Sequence, residues 1–266
     1  MISLIIPTYR NPKYLDICLQ SAIDGQTTNN EIIVVVDGYI DESQIVLDKY
    51  KGEIKVLSLN ENKGMQTALN LGVFNSSNEK ILIINDDNVL CPEWDIIASE
   101  VKEHSVLTIN QIEPTGPGIF NFPVKDLGKT PEQFDYRGFI KYEKTLRQDK
   151  LTIDGGIFPF AIYKKQYMIV GGFDIMYQSP FICDWDFFLK LDLNNIGMSR
   201  THKGHFYHFG SAATKNRTDG DQIKFKASEQ PAAETFMYKW GHPPRIFDNN
   251  SHNPKNNQII KGIRYE

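Results

Sequence analysis

Long apolar stretches are missing from this 266-residue chain. No run approaches the roughly 20 residues that a bilayer-spanning helix requires. The segment Met1 to Pro7 is apolar but has neither a basic leader nor a cleavage site, so it is expected to be a strand and not a targeting signal. Cysteine is scarce: Cys18, Cys91 and Cys183 are far apart and odd in number, with no metal-ligand spacing, as expected of reduced, partly buried thiols. There is no excess of positive charge. Lys and Arg total 29 against 33 Asp and Glu, a net charge of −4, which supplies no broad attraction for nucleic acid or an anionic membrane. Glycine is absent between Pro7 and Tyr14, where a nucleotidyltransferase would carry a Gly-rich loop. No internal repeat is present. A soluble, cytoplasmic chain folded as one large α/β domain is the expectation.

What is present is alternation. Ile2–Ile6 reads as a compact strand stopped by Pro7, and Pro12 to Ile23 as a helix packed on a sheet. Glu31–Val36 is a near-continuous apolar run, the pattern of a parallel strand covered on both faces. A helix near Glu42–Tyr50, a strand at Lys55–Leu59, a helix opened by Asn62-Lys63-Gly64 and a strand at Lys80–Ile84 follow. Short connections between such elements predict a mostly parallel central sheet of right-handed βαβ units flanked by helices. The middle of the chain is irregular and rich in proline and glycine near Pro114–Pro123. Periodicity returns at Gly155–Val170 and in a helix at Trp185–Leu193. The expected division is a donor-binding half at 1–110, an acceptor-side half of the same domain at 111–241 and a polar tail at 242–266.

The run Lys80-Ile-Leu-Ile-Ile84 ends abruptly in Asn85-Asp86-Asp87. Ligands of open α/β sheets gather at the carboxyl ends of strands, where acids suit a hard divalent cation bound to phosphate. Adjacent side chains of a strand point opposite ways, so the two acids are expected to divide their work. Asp87 is the candidate metal ligand; Asp86 is assigned to the ribose or to metal-bound water. The first strand brings Pro7, Thr8 and Tyr9 to the same edge, where the tyrosine could stack on a base or pack its own loop. Asp37 at the end of the second strand could accept from a uracil or ribose donor, or cap a helix. Lys63 and Gly64 could face a diphosphate, although the lysine reads equally well as surface charge. Further on, Asp184 stands at the start of a helix, either as a cap or as a general base. Trp185 beside it could stack on a sugar or fill the core. Of His202, His205 and His208, the last is the candidate to complete a cation shell begun by Asp87.

In this order the parts resemble glycosyltransferase family 2, the nucleotide-sugar enzymes of GT-A fold. Ser3 to Tyr9 is similar to the family's opening strand and base-stacking tyrosine, and Val35-Val36-Asp37-Gly38 with Asp41 to its Asp-Asp-Gly-Ser-x-Asp loop. Asn62-Lys63-Gly64 through Asn70-Leu71-Gly72 resembles its Asn-x-Gly helix. Asn85-Asp86-Asp87 resembles the Asp-x-Asp metal motif with its leading acid replaced. Gly171-Gly172-Phe173-Asp174 and Cys183-Asp184-Trp185-Asp186 resemble the Gly-Gly-Phe-Asp and Glu-Asp-Trp-Asp motifs, with Cys183 in place of Glu. Tyr238-Lys239-Trp240-Gly241 is similar to a carboxyl-terminal element of smaller members.

The resemblance implies a Rossmann-like GT-A fold with a smaller acceptor-side region, and an inverting transfer from a nucleoside diphosphate sugar, most often a UDP-sugar. It implies Mn²⁺ or Mg²⁺ held by Asp87, the shell His208 is the candidate to complete, and a base at Asp184. On the acceptor side Trp185, Gly155 and Gly156 are expected to face a glycan or another hydroxyl-bearing acceptor. Two other readings stay open. Asn85 and Cys183 replace acids, which suits a non-catalytic nucleotide-sugar-binding module. Lys125, Lys129, Arg137, Lys141, Lys144, Arg147 and Lys150, interleaved with aromatics, would suit an acceptor base in DNA; the acids mixed among them favour a solvated helical face over nucleic acid.

Overall fold

The fold is described from a computed structural model, over residues 1–115, 122–153, 156–177, 179–210, 220–241 and 243–244, without the side chains of 220–227. Gly155 and the tail from Asn249 fall outside these residues. The strands are β1 (Ser3–Thr8), β2 (Glu31–Asp37), β3 (Lys55–Leu59), β4 (Lys80–Ile83), β5 (Asn88–Val89), β6 (Ser105–Ile112), β7 (Leu151–Thr152), β8 (Phe160–Tyr163) and β9 (Gly197–His208). The helices are α1 (Pro12–Gly25), α2 (Gln44–Lys49), α3 (Met65–Phe74), α4 (Trp94–Ser99), α5 (Tyr136–Leu146), α6 (Lys164–Ile169), α7 (Cys183–Leu193) and α8 (Gly220–Trp240). The strands form one sheet in the order β3-β2-β1-β4-β8-β6-β9-β5, with β7 paired to β9.

The apolar run of β2 explains the layering. Alternate side chains of a strand leave opposite faces of the sheet. Ile32, Val34 and Val36 enter one core with Leu15, Cys18, Leu19 and Ala22 of α1 and with Trp94 of α4. Ile33 and Val35 enter the other core with Ala68, Leu69 and Val73 of α3 and with Phe187 and Phe188 of α7. β1 and β4 divide the same way: Leu4, Ile6, Leu82 and Ile84 on the first face, Ile5, Ile81 and Ile83 on the second. Each such side chain contributes about 1.5–3 kcal/mol by leaving water, so the sheet is held from both sides. Gly72 lets α3 lie flat on this surface, since a Cβ there would stand 2.6 Å from Ile5 Cγ2 and 3.0 Å from Val35 Cγ2.

The α/β class is the expected one, with two differences in detail. β1 to β4 pair in parallel as expected, but β8 runs antiparallel to both β4 and β6, so the sheet is mixed beyond β4. Pro7 does not stop β1, which continues to Thr8 in register with Val35 and Val36 of β2. The reason lies on the other flank, where β4 pairs only with Ser3, Leu4 and Ile5. Pro7 therefore stands where the flank facing β4 needs no further N–H. Among the described residues no helix is long and apolar enough to cross a membrane.

β9 packs against α5 through buried polar groups. Glu143 takes Arg147 Nε at 3.0 Å on both oxygens and the backbone N–H of His205 at 3.2 Å. His205 is buried, and its pKa is pushed down to about 4 by desolvation, assisted by His202 and Arg147. A histidine whose folded pKa lies below its unfolded value makes the native state resist protonation, so stability is intact above pH 6.5 and falls as pH drops toward 4. The loss is on the order of 3 kcal/mol. Urea titrations of wild type and His205→Gln between pH 7 and 4 should diverge by that amount; parallel curves would remove His205 as the cause.

Candidate active site

β1, β2 and β4 end at one edge, and the loops that leave them line a cavity of about 410 Å³. Pro7, Thr8, Tyr9, Asp37, Gly64, Asp86 and Asp87 face it from this half; Gln111, Glu113, Phe158, Asp184 and His208 face it from the other. Nine of the expected site residues line this one cavity, drawn from some 200 residues of chain.

Gly38 brings the third loop close. Its φ of +80° lies in the left-handed region, and a Cβ would stand 2.7 Å from Asn62 N. With the backbones in contact, Asp37 Oδ1 accepts from Lys63 N at 2.7 Å and Oδ2 from Gly64 N at 2.9 Å. Asp37 therefore caps neither end of the helix that follows it but fixes the loop ahead of α3. Burial raises its pKa, and these two N–H groups oppose the rise. The Lys63 ammonium lies 2.5 Å from Glu61 and is half exposed, so its backbone rather than its charge enters the arrangement. Tyr9 packs edge-on against Tyr39 with ring centres 5.9 Å apart. Asp41 is exposed in the short turn Ile40–Glu42.

Asp86 and Asp87 do diverge. Asp86 turns inward, accepting from Thr8 Oγ1 at 2.7 Å and Asn11 Nδ2 at 3.0 Å. Its pKa is pushed up to about 7, first by burial and then by the charge of Asp87, against the pull of those two donors. Asp87 Oδ1 lies 3.5 Å from His208 Nε2, and His208 Nδ1 lies 3.1 Å from Glu113 Oε1. The pairing of β5 with β9 creates this contact: Asn88 is in register with His208, and Phe209 N donates to Asp87 O at 3.2 Å. Of the three histidines only His208 joins Asp87. His202 is held by Asn110 Nδ2 and Thr152 Oγ1, each at 3.2 Å, and His205 is buried under α5.

Asp184 lies in the first turn of α7, whose cap position is Ile182 at φ 69°, so it is not the cap residue. Its Oδ1 accepts from Trp185 N at 3.0 Å. Trp185 packs against the second core and is not among the cavity's lining residues. Cys183 is buried, with Sγ 3.3 Å from Pro180 O, so the replaced acid lies inside the protein. Gly156 is buried against Phe188, where a Cβ would come within 2.2 Å of the ring. Asp186 anchors the carboxyl-terminal element: it accepts from Trp240 Nε1 at 2.8 Å and pairs with Lys239 at 2.7 Å, while Lys239 also reaches Asp174 at 2.5 Å. One lysine thus ties the Gly-Gly-Phe-Asp segment to α7.

Among the polar residues of the site that escaped the sequence reading are Asn11, Gln111, Glu113 and Ser179. Glu113 directly follows the strand Ser105–Ile112, where the strand-end rule that picked out Asp37 and Asp86 applies equally, whereas Gln111 lies inside that strand, where the rule is silent.

Residues 3–170 match the sequence profile of Glycosyl transferase family 2, more than half of the chain. The chain belongs to this family. An uncharacterized glycosyltransferase of Haemophilus influenzae is 27 % identical over 197 residues, 72 % of this chain and 62 % of the relative. Mouse dolichyl-phosphate beta-glucosyltransferase is 31 % identical over 99 residues, 32 % of this chain and 31 % of its own. The chain therefore spans less than two thirds of the length of these relatives. Among solved structures, a mannosyltransferase from Pyrobaculum calidifontis in complex with GDP-Man and Mn²⁺ superimposes with a TM-score of 0.60 at 14 % identity, covering 99 % of this chain and 69 % of that one. S. aureus TarS 1-349 in complex with UDP-GlcNAc gives 0.55 at 17 %, covering 99 % and 71 %. Both carry the GT-A-like fold.

Proposed function

We propose that this family 2 chain transfers a sugar from a nucleoside diphosphate donor, a UDP-sugar, to an acceptor hydroxyl by direct displacement with inversion. The observation that supports it most is that Asp184 lines the same cavity as the Asp87–His208 pair and as Tyr9 and Asp37. Base and ribose lie against Pro7, Thr8, Tyr9 and Asp37, with Asp86 holding Thr8 and Asn11 in place. The Lys63–Gly64 backbone shapes the edge nearest the diphosphate.

Among the described residues no three His, Cys, Asp or Glu side chains enclose a metal ion. The two that meet nevertheless suit a cation that keeps open positions for phosphate, since Mg²⁺ and Mn²⁺ sites of this kind use one or two carboxylate or imidazole ligands plus the substrate's oxygens. Asp87 and His208 would hold it, and it would supply charge neutralisation for the departing diphosphate. Glu113 Oε1 lies 3.1 Å from His208 Nδ1, and a proton on that nitrogen would donate to the carboxylate and leave the Nε2 lone pair for a cation shared with Asp87. Glu113→Gln should weaken Mn²⁺ affinity about tenfold or more by calorimetry with UDP present; unchanged affinity would remove that orienting role. Asp184 takes the acceptor proton as the hydroxyl attacks the anomeric carbon.

Incubation with UDP-sugars and Mn²⁺ should release UDP. A chain that binds these donors and releases nothing would be a binding module instead.

A further inference from the structure

Among the described residues four Tyr or Phe side chains line the cavity, and three of them are already engaged. Tyr9 meets Tyr39 edge-on, and Phe122 lies under the Arg200 guanidinium at 5.1 Å. Phe158 packs on Phe160 and Phe173 in the second core. Phe181 is different. It is partly exposed, and among the described residues it joins neither core and meets no other ring. A phenyl ring left half in water at a cavity wall forgoes burial that a ligand can supply. Its loop is nevertheless fixed from two sides. Ser179 Oγ accepts from Phe181 N at 3.1 Å and from Ser228 Oγ of α8 at 2.8 Å, while Ser179 O takes Nε2 of Gln66 in α3. The backbone that carries the ring is therefore set in place before any ligand arrives, which spares binding the cost of ordering it.

The ring stands beside the expected base. Phe181 and Asp184 line the same cavity three residues apart, at most about 10–11 Å of chain. On the donor-site reading the nucleotide rests against Tyr9 and Asp37, and the diphosphate lies near Asp87 and His208. Trp185, the aromatic expected to stack on a sugar, packs on the second core, which leaves Phe181 as the aromatic face next to the attacking hydroxyl. A pyranose carries C–H bonds on its faces and hydroxyls around its rim. Lying on a phenyl ring, it buries one face and turns a rim hydroxyl to a neighbouring carboxylate. A linear polyol or a serine side chain has no such face. Resting on the donor-site reading above, we infer that Phe181 is the platform on which the acceptor lies, and that this acceptor is a saccharide ring.

Release of nucleotide from UDP-glucose, UDP-N-acetylglucosamine or GDP-mannose with Mn²⁺ tests this. Each donor is tried in water alone and with glycerol, methyl glucopyranoside, methyl mannopyranoside or methyl N-acetylglucosaminide. On wild type at least one methyl glycoside should accelerate release about tenfold more than glycerol does at equal hydroxyl concentration. Phe181→Ala should raise the KM for that glycoside about tenfold. Its affinity for the nucleotide sugar, read by calorimetry, should stay within about twofold of wild type. Phe181→Trp retains an aromatic face and should retain a KM near that of wild type. Glycerol that matches every methyl glycoside on wild type, or an unchanged KM in Phe181→Ala, would overturn the inference. Weaker binding of the nucleotide sugar by Phe181→Ala would assign the ring to the donor and overturn it as well. Wild type that releases no nucleotide under any of these conditions would overturn the donor-site reading itself.

Discussion

Replacing Asp184 by asparagine should lower turnover by about 10²–10⁴-fold, the usual contribution of a positioned base. Affinity for UDP with Mn²⁺ should stay within about twofold, because donor binding rests on other residues. The substitution is close to isosteric. Its remaining oxygen can still accept from Trp185 N, the contact the carboxylate makes now, so the start of α7 is preserved. The chemistry changes because an amide cannot take the proton of the attacking hydroxyl. Single-turnover kinetics and calorimetry on one preparation separate the two effects. Normal turnover in Asp184→Asn would place the base elsewhere, and a joint loss of turnover and UDP affinity would mean that the first turn of α7 had been disrupted.

The second large effect belongs to Asp87. Asp87→Ala should make UDP binding insensitive to Mn²⁺, with at least about a hundredfold loss of affinity at saturating cation. The neighbouring Asp86→Asn should keep the cation dependence. Its two oxygens already accept from Thr8 and Asn11, and an amide can keep the Thr8 bond. The pair therefore makes an internal control. Two adjacent carboxylates in nearly the same degree of burial should differ sharply in what they do for the metal. Equal loss in both variants would mean that the carboxylates act as one unit, and unchanged Mn²⁺ dependence in Asp87→Ala would end its role as a ligand.

Much of the half that precedes β6 was legible because its signals are local. The apolar run of β2 announced a strand buried on both faces, and the split of Ile32, Val34 and Val36 from Ile33 and Val35 between two cores is what that run requires. The divergence of Asp86 and Asp87 was expected from side-chain alternation relaxed by a turn at Asp87, and both residues stand in a turn beyond the end of β4. Pro7 misled because proline's meaning in a strand depends on whether a neighbour needs its N–H, and β4 ends short of it. The role of Asp37 was less legible for a similar reason. Its partners, Lys63 and Gly64, are 26 and 27 residues away and come within reach through the close approach of Gly38 to Asn62. Glu113 and the anchoring of Asp186 by Lys239 and Trp240 depend on contacts between segments 53 to 95 residues apart. No periodicity reports such contacts. The three-residue spacing of His202, His205 and His208 was equally silent, since it is the pairing of β5 with β9 that sends only His208 to Asp87.

The central claim, direct displacement of a nucleoside diphosphate from a sugar, can be tested without knowing the acceptor, because water can take the acceptor's place. Proton NMR during the first minutes with Mn²⁺ and an α-linked UDP-sugar would show the free sugar before its anomers equilibrate. The account predicts release of UDP together with the β-anomer, and loss of both in Asp184→Asn. Release of the α-anomer, or no UDP from any donor sugar, would contradict it.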